Sequence, residues 1–372
     1  MKCIYHIPIP LDPNAKSASG IRPQKMLQAF KDIGYDVIVV SGYARERKKA
    51  FDEIKRQVAN GEKFEFLYSE SSTMPTILTE PNHMPTHPFV DFALFRFCKK
   101  HGIKIGLFYR DIYWKFDIYR EKISRLKYLV AILAYKYDLL QYGFTLEKLY
   151  VPSKRVYDYL KNKKLQDKLD TLPPGCDECN VPKNLVEMKR DFFIDPLHIF
   201  YVGGLGGHYQ IAELLRAVSE LDYCEITVCC RKCDWEKSLD QLGHFSKYSN
   251  IHIVYESGKG LERYYSKADV CALLFEPNEY MKLAIPYKAF EYLAWGKPML
   301  VSRGTAIGDF VASHGIGWVI EYSKDRIKES IYEILSEPSE LYPKKAQCVI
   351  AQKENRWVNR AQKVIKDLTG EK

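Results

Sequence analysis

Apolar positions recur along the chain in two alternating rhythms. Short, largely apolar runs at 2–9 (KCIYHIPI), 35–42 (YDVIVVSG), 64–71 (FEFLYSES) and 103–111 (IKIGLFYRD) read as buried strands. Between them, 22–34, 46–61 and 89–102 carry apolar residues at helical spacing, with Gly34, Gly61 and Gly102 as stops. A loop bearing Ser19 and Gly20 is predicted to lead into the first helix. The scheme repeats after residue 197: strands at 197–204, 224–230, 251–257, 269–275, 298–303 and 317–322 alternate with helices at 210–222, 261–268 and around 287–295. Strands alternating with helices predict parallel, doubly wound sheets.

This pattern, with a chain of 372 residues, predicts two domains. The expected organisation is a Rossmann-like domain over 1–175, a Pro-rich and charged linker over 176–196, and a second Rossmann-like domain over 197–350. A C-terminal helix within 351–372 is expected to return to the first domain. The fold class is α/β, two such domains facing a cleft.

Composition changes the picture little. No apolar run approaches the length of a membrane span, and the N-terminus lacks a secretory h-region, so the chain is expected to stay in the cytoplasm. There its ten cysteines are expected to be reduced. The net charge of +9 favours anionic partners. Neither zinc-finger spacing nor an RNA-recognition string is present, so nucleic acid is not among them. His83 and His87 share no helical face, and the pairs Cys176/Cys179 and Cys230/Cys233 stand too far apart for a ribbon-type zinc site, so no metal is expected. One segment, 120–149, mixes Arg and Lys with Leu, Ile and Tyr as an interfacial helix would, although a plain core helix has the same composition.

Ligands of open parallel sheets bind beyond the carboxyl ends of the strands, which singles out four stretches. In YVGGLGGHYQ, Gly203, Gly204, Gly206 and Gly207 stand between strand and helix, where backbone N–H groups can approach a phosphate; a tight turn explains the same glycines. Position 209 is Tyr and the next strand ends without a ribose-binding acid, which argues against a dinucleotide. In IPYKAFEYLAWG, Pro286 is expected at the first helical position and Gly296 at the stop, with Lys288 and Glu291 on one face. There a lysine can neutralise a diphosphate while a carboxylate accepts from a ribose diol, or the two form a common surface ion pair. Tyr255, after another strand, joins this set. In GLFYRDIYW, Asp111 is the first candidate for a general base and Glu70 the second, with Arg110 keeping Asp111 ionised; the competing reading of Asp111 is a turn cap. In the first loop, Ser19, Gly20 and Arg22 are candidates for acceptor or phosphate contacts, as is Arg110; a solvated loop is the plainer account.

The order of these motifs, YVGG, SKADVCALLF, IPYKAFEYLAWGKPMLVS and GIGWVI, preceded by LYVPSKRVYDYL and LPPGCD, resembles GT-B glycosyltransferases over nearly the whole chain. It is similar to bacterial surface-polysaccharide enzymes of glycosyltransferase family 4 or the xanthan glucuronosyltransferase type. The resemblance implies a nucleotide-diphosphate sugar, most often a UDP-sugar, held by Lys288 and Glu291 without a metal or other cofactor. It implies transfer to a saccharide or lipid-linked acceptor, with peripheral contact at the inner face of the membrane. The second glutamate of many retaining members is replaced here by Leu283, so inversion and retention both stay open. The rival function is a catalytically inactive GT-B-like partner subunit.

Overall fold

The computed structural model describes every residue except 16, 179–191, 193–194, 208 and 371–372. Most of the expected linker and one member of the Cys176/Cys179 pair therefore lie outside the described residues. The chain forms two compact units, Met1–Gly175 with Trp357–Lys372, and Cys176–Arg356.

The first unit is built on six parallel strands, β1 (Lys2–His6), β2 (Asp36–Val40), β3 (Phe66–Glu70), β4 (Lys104–Phe108), β5 (Lys148–Val151) and β6 (Leu169–Thr171), in the order β2-β1-β3-β4-β5-β6. The central strand β3 is buried at every position, as a parallel strand covered on both faces must be. The order reverses between β1 and β3, so the crevice expected of such sheets lies beyond His6 and Glu70. The helix after β1 runs Ala18–Asp32 and so begins four residues before the expected start, which puts Ser19 and Gly20 in its first turn rather than in a loop. Pro23 misleads a sequence reading because proline normally marks a helix start. Here it sits inside the helix. The expected C-terminal helix begins at Trp357, after a separate helix over Leu341–Glu354.

The second unit has strands β7 (Leu197–Val202), β8 (Cys224–Cys229), β9 (Ile251–Val254), β10 (Val270–Leu273), β11 (Met299–Ser302) and β12 (Gly317–Ile320), all parallel, in the order β12-β11-β10-β7-β8-β9. Side chains alternate along β7, with Ile199 and Tyr201 in one core and Phe200 and Val202 in another, so apolar clusters cover both faces. The switch point lies between β7 and β10.

Candidate active site

Two sequence-predicted stretches flank the switch point of the second unit. The glycine loop follows β7, and the helix Tyr287–Ala294 lies between β10 and β11. That helix is short, yet both ends are fixed. Pro286 is extended (ψ 136°), so helical backbone starts at Tyr287 and the proline is the cap residue, not the first helical one. At the other end Gly296 has φ +60°, its N–H donates to the Leu293 carbonyl at 2.9 Å, and Lys297 N–H donates to the Tyr292 carbonyl at 2.9 Å. These two bonds form a Schellman stop, which a residue other than glycine adopts only with strain.

The apolar face of this helix, Ala289, Phe290, Tyr292, Leu293 and Ala294, is buried. Tyr292 adds direction to that burial: its hydroxyl accepts from Val202 N–H at 3.2 Å, and it donates to the Ala272 carbonyl at 3.4 Å. One side chain thus ties the helix to β7 and β10. The opposite face carries Lys288 and Glu291, both half-buried, with Nζ and Oε2 2.5 Å apart. Tyr265 donates to the same Oε2 at 3.1 Å. Burial, with the Glu291 charge second, pushes the Tyr265 phenol far up, which keeps it a neutral donor. Among the described residues Oε1 of Glu291 takes no hydrogen bond, so the carboxylate is oriented through one oxygen and has the other to offer. The field of Lys288 reaches the end of β8: burial raises the Cys229 thiol, and the lysine opposes that rise.

In the glycine loop, Gly206 and Gly207 have φ of +77° and +57°, and Gly206 exchanges backbone hydrogen bonds with Tyr209 at 3.2 and 3.0 Å. These two glycines are needed for the turn itself. A Cβ at Gly203 would come within 2.9 Å of the Tyr201 hydroxyl, which instead donates to the Gly204 carbonyl. The loop is joined to the segment after β10 by Glu276 N–H donating to the Gln210 carbonyl at 3.2 Å. Tyr255 is exposed directly after β9.

The candidates in the first unit are arranged differently from expectation. Glu70 is completely buried, accepting from Tyr68 at 2.8 Å and Arg22 Nε at 3.1 Å on one oxygen and from Arg110 at 3.4 Å on the other. Arg110 thus turns to Glu70 and away from the expected partner Asp111. It also donates to the Ser71 carbonyl at 3.2 Å and the Ser19 carbonyl at 2.5 Å. The last contact follows from Pro23: four residues on from Ser19, proline has no N–H for that carbonyl, and the guanidinium supplies one. Arg22 is buried instead of lying in a solvated loop; its guanidinium carbon stacks 3.5 Å from the Phe108 ring centre, and Nη1 and Nη2 have no hydrogen-bond partner among the described residues. Burial works against the Arg22 charge, and Glu70 together with Tyr68 and Tyr5 outweighs it, so this guanidinium is held above its ordinary value. Asp111 Oδ1 accepts from Tyr113 N–H at 2.7 Å, the turn-cap geometry that its residue type allows. Tyr265, Tyr292 and the part played by Pro23 escaped the sequence reading; the double tyrosine of LERYYSKAD, directly before a strand, was the available signal for Tyr265.

Residues 265–349, which include Tyr265, Lys288, Glu291 and Tyr292, match the family profile of the glucosyltransferase 3-like, C-terminal domain. The whole fold has close structural counterparts. The chain has the glycosyltransferase GT-B fold. This GT-B chain superposes on Anabaena HepE, solved in complex with UDP, with a TM-score of 0.68 at 9% identity over 100% of both chains. It superposes on sucrose-phosphate synthase from Thermosynechococcus elongatus at 0.62 and 13% identity, over 98% and 97% of the two chains. A glycosyltransferase from Rickettsia africae gives 0.63 at 12% identity over 100% and 99%. None of the curated protein sequences matches the GT-B chain.

Proposed function

We propose that the chain is a Leloir glycosyltransferase that moves a sugar from a nucleoside diphosphate, UDP in the first instance, to a saccharide acceptor. The single observation that carries this reading is the Lys288–Glu291 pair, oriented by Tyr265 on a helix at the switch point, within a segment of glucosyltransferase 3-like sequence. In this reading Lys288 leaves Glu291 for the diphosphate, Glu291 accepts from the ribose diol, and the Gly203–Gly207 turn and Tyr255 line the nucleotide. HepE has been solved with UDP-glucose as well as UDP, which supports a UDP-sugar as the first donor to test.

For the acceptor we propose a lipid-linked saccharide met at the cytoplasmic face of a membrane, with Ser19 and Gly20 in the first turn of the Ala18–Asp32 helix near its anionic group. Arg22 and Arg110 support this end from behind, since both are committed to Glu70. Asp111 remains the first candidate for the base that takes the acceptor proton, and no metal is assigned to the chemistry. The experiment is UDP release from a panel of UDP-sugars, with and without oligosaccharide acceptors. Acceptor-stimulated release from one donor is the expected result; a pure, folded chain that binds UDP-sugar and releases no UDP under any condition is the result for an inactive partner subunit.

A further inference from the structure

The helix Arg125–Thr145 buries Ala131, Ala134, Tyr135, Asp138, Tyr142 and Thr145 against the first unit. Its other side is neither polar nor covered. Leu126, Leu129, Val130, Leu133, Leu140 and Phe144 are all exposed, Leu126 at 74% and Leu133 at 67%. At about 100° per residue these six fall on one stripe, which runs most of the length of a 21-residue helix, about 30 Å at 1.5 Å per residue. Soluble surfaces show single exposed leucines; six large apolar side chains on one stripe mark a contact surface.

Its surroundings decide the partner. The basic residues Arg125, Lys127 and Lys136 of the same helix fall on the stripe's flanks, while its single acid, Asp138, is buried on the other face. An apolar stripe between basic margins complements the boundary of an anionic bilayer, where the leucines reach the acyl region and the cations meet headgroups. A second copy of the chain does not fit as well: two-fold pairing of this face would set basic margin against basic margin on molecules of net charge +9. Spanning is not an option either, because among the described residues no helix is long and apolar enough to cross a membrane.

We infer that the Arg125–Thr145 helix seats the chain in the plane of an anionic lipid surface, its Leu126–Phe144 stripe inserted and its basic margins on the headgroups. This rests on the proposed transfer to a lipid-linked acceptor, which it places at a particular face of the protein. The test is flotation of the full chain with vesicles of phosphatidylcholine alone or with a third phosphatidylglycerol, at low and high salt. Each condition is run for the wild type, for Leu126→Glu/Leu133→Glu, and for Lys127→Ser/Lys136→Ser.

Wild-type chain should float with the anionic vesicles only, and salt or the lysine changes should reduce the bound fraction several-fold. The glutamate pair, at positions open to water and so compatible with folding, should reduce it at least about tenfold. UDP release with a soluble acceptor should be the same in all three proteins. Absence of flotation with anionic vesicles at low salt overturns the inference, as does equal binding to neutral vesicles. A wild-type dimer that the glutamate pair converts to monomer, with no flotation of either, also overturns it and assigns the stripe to self-association. UDP release without flotation refutes the inference alone, whereas flotation without UDP release refutes the transferase reading alone.

Discussion

Val202 N–H donates to the hydroxyl of Tyr292 at 3.2 Å, which couples the end of β7, where the glycine loop begins, to the helix that carries Lys288 and Glu291. The two halves of the proposed donor site are thus held in register by a phenol buried beneath both of them. Tyr292→Phe keeps the ring and leaves a buried N–H without its acceptor, so stability should fall by about 1–3 kcal/mol. Urea unfolding should show a lower midpoint at an unchanged slope, and UDP affinity should weaken although the Tyr292 hydroxyl is spent on Val202 and Ala272. An unchanged midpoint would show that the contact carries no energy.

The Arg110–Ser19 contact depends on Pro23. Arg110→Met removes one of the two cations on the buried Glu70 and should cost about 3–5 kcal/mol, the usual consequence of breaking a buried ion pair. Pro23→Ala gives the Ser19 carbonyl an N–H from its own helix, so in that background the cost of Arg110→Met should drop by about 1 kcal/mol, one neutral hydrogen bond. A double-mutant cycle measured by chemical unfolding checks this. Strict additivity would mean that the carbonyl does not need the guanidinium.

Burial pushes the Asp138 carboxyl up to about 7, against the opposing hydrogen bonds from Thr76. Its Oδ1 is buried without a partner, as suits the protonated form. The folded state therefore holds this proton more tightly than the unfolded chain does. The contribution to stability is complete below pH 4, declines as pH rises from about 4 to 7, and is constant above that. Asp138→Asn should flatten the decline and stabilise the protein above pH 7; thermal melts of both proteins from pH 4 to 8 measure it. Parallel curves for the two proteins would contradict the shift.

Asp111→Asn separates two roles that the residue now presents together. Asparagine keeps an Oδ1 to accept from Tyr113 N–H and loses the ability to take a proton. If Asp111 is the base, turnover should fall about 10²- to 10⁴-fold while the melting temperature and UDP affinity stay near wild type. Near-normal turnover would reduce Asp111 to its turn. Glu70 would be a poor replacement, because it is completely buried and clamped by Arg22, Arg110 and Tyr68.

What the sequence made legible was local. Runs such as LHIFYVGG and CEITVCC are strands because a parallel strand buried on both faces must be almost wholly apolar, and the alternation with helices led directly to two doubly wound sheets. Gly296 and the Lys288–Glu291 spacing were equally readable, since a helical stop and a shared helical face follow from geometry within a few residues. Partners distant in sequence were not readable. Nothing near Arg110 says that it will choose Glu70 over its neighbour Asp111, because that choice depends on β3 and β4 being adjacent. The helix start expected at 22 failed for the same reason: a proline inside a helix is tolerable where another group, here Arg110, takes over the stranded carbonyl. Tyr292 looked like one more apolar residue of an amphipathic helix, and only the placement of β7 and β10 gives its hydroxyl work.

The central claim is that Glu291, oriented by Tyr265 and paired with Lys288, is the ribose-binding carboxylate of a nucleotide site. Titration calorimetry of UDP into the wild type and Glu291→Ala tests it most directly. Wild-type chain should bind UDP, and the variant, folded but with a lowered melting temperature because the buried Tyr265 hydroxyl loses its acceptor, should bind it more weakly by about 1.5–3 kcal/mol, the value of hydrogen bonds to a charged group. Equal UDP affinity in the two proteins would contradict the account.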